Sequence, residues 1–197
     1  HDILSFLNVG YFVVGNSPVP SHVPTKEPRV FFNPEVFPRA FMVYDIEYME
    51  SGSDILKSII TDPLLFREKA IIESSRNPGI EIKKDTVREP EWDVTFLNYG
   101  FNKVELEVRT SQKGLLILAE QYYPGWQVEI NGEKSEIQQV NYLFRGVWLD
   151  KGASKVSFIY RPPSFKIGLA LTLFAICVVI LITRKNTQIA IKKILGA

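Results

Sequence analysis

A mainly β fold is expected for this 197-residue chain: an antiparallel β-sandwich with a small α/β annex at its N-terminal end, followed by one C-terminal transmembrane helix. Three observations carry this expectation. From Trp92 onward, short runs of β-prone residues recur with turn signals between them, the pattern of a sandwich. Ahead of Trp92, strand and helix signals mix. Between Lys166 and Arg184 lie 17 residues, IGLALTLFAICVVILIT, with no charged group. The implied domains are an annex with a proline-rich arm over residues 1–91, the sandwich over 92–163, a transmembrane helix over 164–184 and a basic cytoplasmic tail over 185–197.

In chain order, Ile3–Val14 is apolar but interrupted by Asn8 and Gly10, too short to span a bilayer. It reads as a short helix followed by a strand at Tyr11–Val14. Residues 16–38 hold Pro18, Pro20, Pro24, Pro28, Pro34 and Pro38. Proline fixes φ and withholds a ladder donor, so this stretch reads as a connecting arm. Phe41–Tyr48 alternates, with Met42, Tyr44, Ile46 and Tyr48 on one face, and reads as one strand. Ser53 reads as the N-cap of Asp54–Ile60, a short amphipathic helix with an acid in its first turn, ending near Pro63. Ala70–Glu73 reads as a strand and Lys83–Glu91 as a charged loop.

Within the sandwich, Lys103–Arg109 places Val104, Leu106 and Val108 inward and Glu105, Glu107 and Arg109 toward water. Leu115–Ala119 is continuously apolar, as a strand covered on both faces should be. Trp126–Ile130 and Lys134–Gln138 flank Asn131-Gly132, whose tolerance of positive φ suits a type I′ hairpin turn. Val147–Leu149 and Val156–Tyr160 complete the set, and Pro162-Pro163 stops the last strand.

The apolar run spans roughly 25 Å at about 1.5 Å per residue, and Phe165 with the stems of Lys166 and Arg184 extends it toward the hydrocarbon thickness. A buried core helix is the alternative. Arg184, Lys185, Lys192 and Lys193 follow the run with no acid, against Lys155, Arg161 and Lys166 before it. This bias places the tail inside and residues 1–164 outside a bacterial cell membrane. Ile191, Ile194 and Leu195 beside two lysines suit a segment lying on an anionic leaflet, or simply a charged terminus.

Lys+Arg number 23 and Asp+Glu 22, so net charge offers no case for nucleic acid. His1 and His22 are the only histidines and Cys177 lies in the apolar run, so no metal site is expected and no cofactor is implied. Phosphate loops and nucleophile elbows are absent, leaving no catalytic residue to nominate. Asp45 and Glu47 share a strand face, as metal-holding acids can, but read better as solvated charges. The candidate binding residues are aromatic: Tyr122, Tyr123, Trp126, Tyr142 and Trp148, with Asn141 and Arg145 as donors. Flat rings beside amide and guanidinium groups can stack on sugars and hydrogen-bond their hydroxyls. Trp126 also shares a face with Val128 and Ile130, which suits a core position, and Arg145 suits either a lipid-linked phosphate or pairing with a carboxylate.

The ordered segments EQYYPGW, an NG hairpin, NYLFRGV and YRPPSFKIG running into a last apolar helix resemble the C-terminal part of the YfhO-like bacterial membrane proteins. LNVGYFV and FPRAFMVYD fit the same resemblance. It implies a polytopic protein of the GT-C glycosyltransferase type, with many membrane helices first, then an external β-rich domain and a final helix. Its members are associated with adding sugars to cell-surface polymers such as teichoic acids from a polyprenyl-phosphate-linked donor. The catalytic carboxylate of such enzymes lies in an early external loop, so no catalytic residue carries over to this chain. The chain begins at His1, and the resemblance implies a C-terminal piece whose partners are the bilayer, the preceding membrane helices and a polyprenyl-linked sugar or envelope glycan. A non-catalytic, membrane-anchored carbohydrate-binding or structural module is the alternative.

Overall fold

The computed structural model describes residues 2–14, 29–76, 79 and 90–195. The chain divides into two compact units, His1–Ile159 and Tyr160–Ala197. In the first, a short helix α1 (Asp2–Phe6) precedes strands β1 (Tyr11–Val14) and β2 (Arg29–Phe32), which pair antiparallel as a two-stranded ribbon. β3 (Ala40–Val43) and β4 (Asp45–Met49) follow, then helix α2 (Gly52–Thr61), a 3-10 turn at Pro63–Arg67 and β5 (Lys69–Glu73), parallel to β4. The remaining strands are β6 (Trp92–Tyr99), β7 (Lys103–Thr110), β8 (Gly114–Gln121), β9 (Trp126–Ile130), β10 (Glu133–Ser135), β11 (Gln138–Val140), β12 (Phe144–Leu149) and β13 (Gly152–Tyr160).

Two sheets form the sandwich, one ordered β10-β9-β13-β7-β6 and the other β11-β12-β8-β3. Their facing sides bury Val104, Leu106 and Val108 of β7, Val156 and Phe158 of β13, Leu116 and Leu118 of β8 and Val147 and Leu149 of β12. A period of two places these residues on one face of each strand, so one register satisfies all of them. The opposite face of the four-stranded sheet carries a second core. There Leu115, Ile117 and Ala119 of β8 pack with Phe6, Phe37, Ile55, Ile59, Phe66 and Ala70–Ile72 of the annex. Layers therefore run from five-stranded sheet to four-stranded sheet to annex, with β8 buried on both sides, as its unbroken apolar run requires.

Asn141 joins the annex to the sandwich. Its N–H donates to the Ile71 carbonyl at 2.8 Å, and its Oδ1 accepts from the Ile71 N–H at 2.7 Å, so one asparagine imitates a strand partner for β5. The price is backbone strain, since both Asn141 and Tyr142 hold positive φ, at 50° and 66°. At the β9–β10 connection, Asn131 (φ 52°) and Gly132 (φ 87°) form the expected two-residue type I′ turn.

Four expectations need correction. Phe41–Tyr48 is not one strand: the chain breaks at Tyr44 and passes from the four-stranded sheet to the β4–β5 pair. Tyr44 stays with the sandwich core and its hydroxyl meets Thr110 Oγ1 at 2.7 Å, whereas Ile46 and Tyr48 pack on the annex core. α2 starts two residues earlier than expected, because Ser51, not Ser53, caps it by accepting from the Asp54 N–H. The proline-rich stretch contains a strand, β2, within it; residues 16–28 of that arm and most of the Lys83–Glu91 loop lie outside the described residues. Lys134–Gln138 divides between β10 in one sheet and β11 in the other.

The second unit is the helix α3 (Pro163–Leu195). Its span Pro163–Arg184 has a mean hydropathy of 2.7 and is 0% buried. Those 22 residues reach about 33 Å at 1.5 Å each, enough to cross a hydrocarbon core. The two threonines of that span return their hydroxyls to the helix, Thr172 to Gly168 O at 2.9 Å and Thr183 to Val179 O at 2.8 Å, which suits a lipid surrounding. The helical backbone continues through the basic tail to Leu195.

Truncating Ile117→Ala, on the doubly covered strand, is expected to cost about 2–5 kcal/mol, whereas Glu133→Ala in the exposed hairpin shifts stability by less than about 0.5 kcal/mol. Chemical denaturation of the detergent-solubilised chain measures both; equal effects would contradict the two-core arrangement.

Candidate functional site

At one end of the sandwich a β-bulge interrupts the β12–β8 ladder. Phe144 pairs with Gln121 but Arg145 pairs with Leu118, leaving Ala119 and Glu120 as the extra residues of β8. Alternation sends Ala119 to the annex core and leaves Glu120 on the sandwich side, where it meets Arg145. Arg145 is 1% exposed, and its Nη2 donates to Glu120 Oε2. The guanidinium carbon lies 3.9 Å from the centre of the Trp126 ring and 5.5 Å from that of Phe158. Arg145 Nε and Nη1 have no hydrogen-bond partner among the described residues, so these aromatic faces supply their compensation. Burial lowers the Arg145 pKa, and Glu120 opposes that shift.

Above this pair the network reaches the surface. Tyr99 Oη donates to Glu120 Oε1 at 2.6 Å and accepts from Arg39 Nη1 at 2.9 Å, while Arg39 stands 3.8 Å from Glu120 and over the Tyr99 ring. Burial pushes the Tyr99 hydroxyl pKa up, and the Glu120 carboxylate adds to the rise. Arg39, Tyr99, Gly100, Phe101, Glu120, Gln121 and Trp126 line a cleft of about 550 Å³. The cleft thus joins three aromatic rings to one carboxylate and one exposed guanidinium.

The sequence-nominated residues are distributed, not gathered. Trp126 lines this cleft while also packing on the sandwich core, and Arg145 lies beneath it, paired with a carboxylate. Tyr122 and Tyr142 line a second cleft of about 430 Å³ with Arg76, Gln121 and Gln139. There Arg76 pairs with Glu73 at 3.4 Å and lies over the Tyr122 ring, so its charge is already engaged. Asn141 is buried in its clamp on Ile71, and Trp148 packs against the annex core. Tyr123 is exposed and lines neither cleft. Arg39, Tyr99, Phe101 and Glu120 were not nominated from sequence. They come from three separate segments, and only the bulge brings Glu120 to Arg145. Among the described residues no group of three or more His, Cys, Asp or Glu could hold a metal, and Glu47 is engaged by Lys69 at 2.6 Å.

A β-sandwich joined in sequence to an exposed, membrane-length apolar helix defines a membrane-anchored protein. Residues 77–172, from just before β6 into α3, match the family model described as bacterial membrane protein YfhO. The chain is 28% identical over 90 residues to "Uncharacterized protein YfhO" of Bacillus subtilis (strain 168), an alignment covering 46% of this chain and 10% of that protein. Residues 77–172 are thus similar to the YfhO-like family of bacterial membrane proteins. The chain spans only a small part of the length of that relative. No solved structure matches it.

Replacing Glu120→Gln leaves the buried Arg145 charge without its counter-ion and is expected to destabilise the fold by about 3–5 kcal/mol. The double variant Glu120→Gln/Arg145→Met, which removes the charge as well, should recover much of that loss in denaturant unfolding.

Proposed function

We propose that this chain is the external domain and last membrane helix of a GT-C-like glycosyltransferase, and that its sandwich holds the glycan being modified. The observation that carries the reading is the end cleft, where Tyr99 and Trp126 flank Arg39 and Glu120. Aromatic faces stack on the apolar face of a sugar ring, while a carboxylate and a guanidinium bind its hydroxyls from the edge. Glu120 is held by Arg145 and Tyr99, so its acceptor geometry is set before a ligand arrives. Tyr122 and Tyr142 offer a further polar cleft to a longer glycan.

In this reading the chemical step belongs to residues outside the chain. A sugar leaves a polyprenyl phosphate for a polymer hydroxyl, and a carboxylate in the preceding membrane portion takes the hydroxyl proton. The sandwich supplies orientation, converting an encounter with a long polymer into a positioned one. With the basic tail on the cytoplasmic side, the cleft lies outside the cell, where the polymer is.

Two measurements test this. The chain in nanodiscs, applied to an array of envelope saccharides, is expected to retain at least one, and Arg39→Ala should weaken retention about tenfold or more while leaving thermal unfolding nearly unchanged, since Arg39 is a surface cation. Retention of none, or equal retention by the variant, counts against the cleft. A reporter active only in the cytoplasm, fused after Ala197, should be active; silence reverses the orientation.

A further inference from the structure

We infer that the β6–β7 turn, with Phe101 at its tip, inserts into the interfacial layer of the bilayer. The starting observation is register. Ile159 of β13 pairs with Lys103 of β7, and Phe158 with Val104, so the last residues of β13 lie beside the first residues of β7. The turn Gly100–Asn102 projects past that end, closed by the Gly100 N–H donating to Lys103 O at 2.9 Å. After Tyr160 only Arg161 and Pro162 precede the first residue of α3. Three residue steps reach at most about 10 Å, so chain length alone keeps this end of the sheet close to where the apolar helix meets the membrane surface.

The side chain at the tip fits that placement. Phe101 is fully exposed, with a relative accessibility of 106%, and Tyr99 and Leu97 beside it on β6 are more than half exposed. A single exposed apolar residue needs no explanation. A fully exposed phenylalanine on the end of the sheet that the chain length holds against a bilayer is different, because an apolar phase lies within its reach. Transfer of aromatic side chains to the interface is favourable, and tethering removes most of the entropic cost of bringing them there. The opposite end of the sandwich carries charge instead: Lys113, just before β8, pairs at 3.3 Å with Asp150, just after β12. That end lies about 24 Å away along β7, at 3.4 Å per residue.

The inference stands without the glycan reading, and its test uses lipid alone. The full chain, with Cys177→Ser, carries an environment-sensitive fluorophore on either Asn102→Cys or Asp150→Cys and is reconstituted in vesicles of phosphatidylethanolamine and phosphatidylglycerol, with and without a headgroup-region nitroxide lipid. The expected result is blue-shifted, nitroxide-quenched emission at 102 and water-like, unquenched emission at 150. Adding Phe101→Ser, a change at a surface position outside both cores, should abolish most of the quenching at 102. Water-like emission at 102, equal quenching at both positions, or undiminished quenching in the Phe101→Ser background would each overturn the proposal. Glycan retention by the same nanodisc-held chain is read independently, so loss of one result leaves the other standing.

Discussion

The fold depends on β8 being covered on both faces. Leu115 to Leu118 are completely buried, and successive side chains point to opposite sides of the sheet, so Leu116 and Leu118 close the sandwich while Leu115 and Ile117 close the annex. Neither core can form fully without this strand, because each would expose half of it to water. The annex supplies a β4–β5 pair, two short helices and a 3-10 turn, too little apolar surface to make a domain by itself. Asn141 fastens the two layers with backbone-like hydrogen bonds, and the positive φ of Asn141 and Tyr142 is what that junction costs locally.

The same strand also places the polar end of the sandwich. A bulge shifts the β8 register just before Glu120 meets Arg145, which puts an ion pair where the two sheets open. A buried guanidinium is expensive, and here the cost is offset by a carboxylate on one side and the rings of Trp126 and Phe158 on the other. Tyr99 and Arg39 carry the network outward to the cleft. Structural support and surface chemistry are therefore continuous, and the residues that make the cleft rigid are those that make the sandwich end stable.

Much of the architecture was legible locally. The Asn131-Gly132 turn, the alternation of β7, the two-sided run of β8 and the apolar helix each depend on residues adjacent in sequence. Boundaries went astray where neighbours in space overrode local pattern. Tyr44 breaks an alternating run because the β7 strand end offers Thr110 to its hydroxyl while Gly114 leaves room for its ring. Ser51 displaces Ser53 as the cap because two more residues of α2, Gly52 and Ser53, are helical. The candidate site was half legible: Trp126 and Arg145 sit at the cleft, but Asn141 and Trp148 serve packing, and Arg39, Tyr99 and Glu120 carry no signal that separates them from ordinary surface residues.

Sequence by itself determined the properties set by period and composition: antiparallel strands with their facing, the mixed annex, and a helix too apolar and too long to be anything but exposed to lipid or buried, with the same motifs pointing to the YfhO-like family. Tertiary structure alone decided which charges meet. Glu120, Arg145, Tyr99 and Arg39 are separated from one another by 21 to 106 residues along the chain and come together only through strand order and one bulge. Hydrophobic periodicity is a property of neighbouring residues and can be read directly. Ion pairing at a sheet end depends on the register between distant strands, which a linear pattern does not contain.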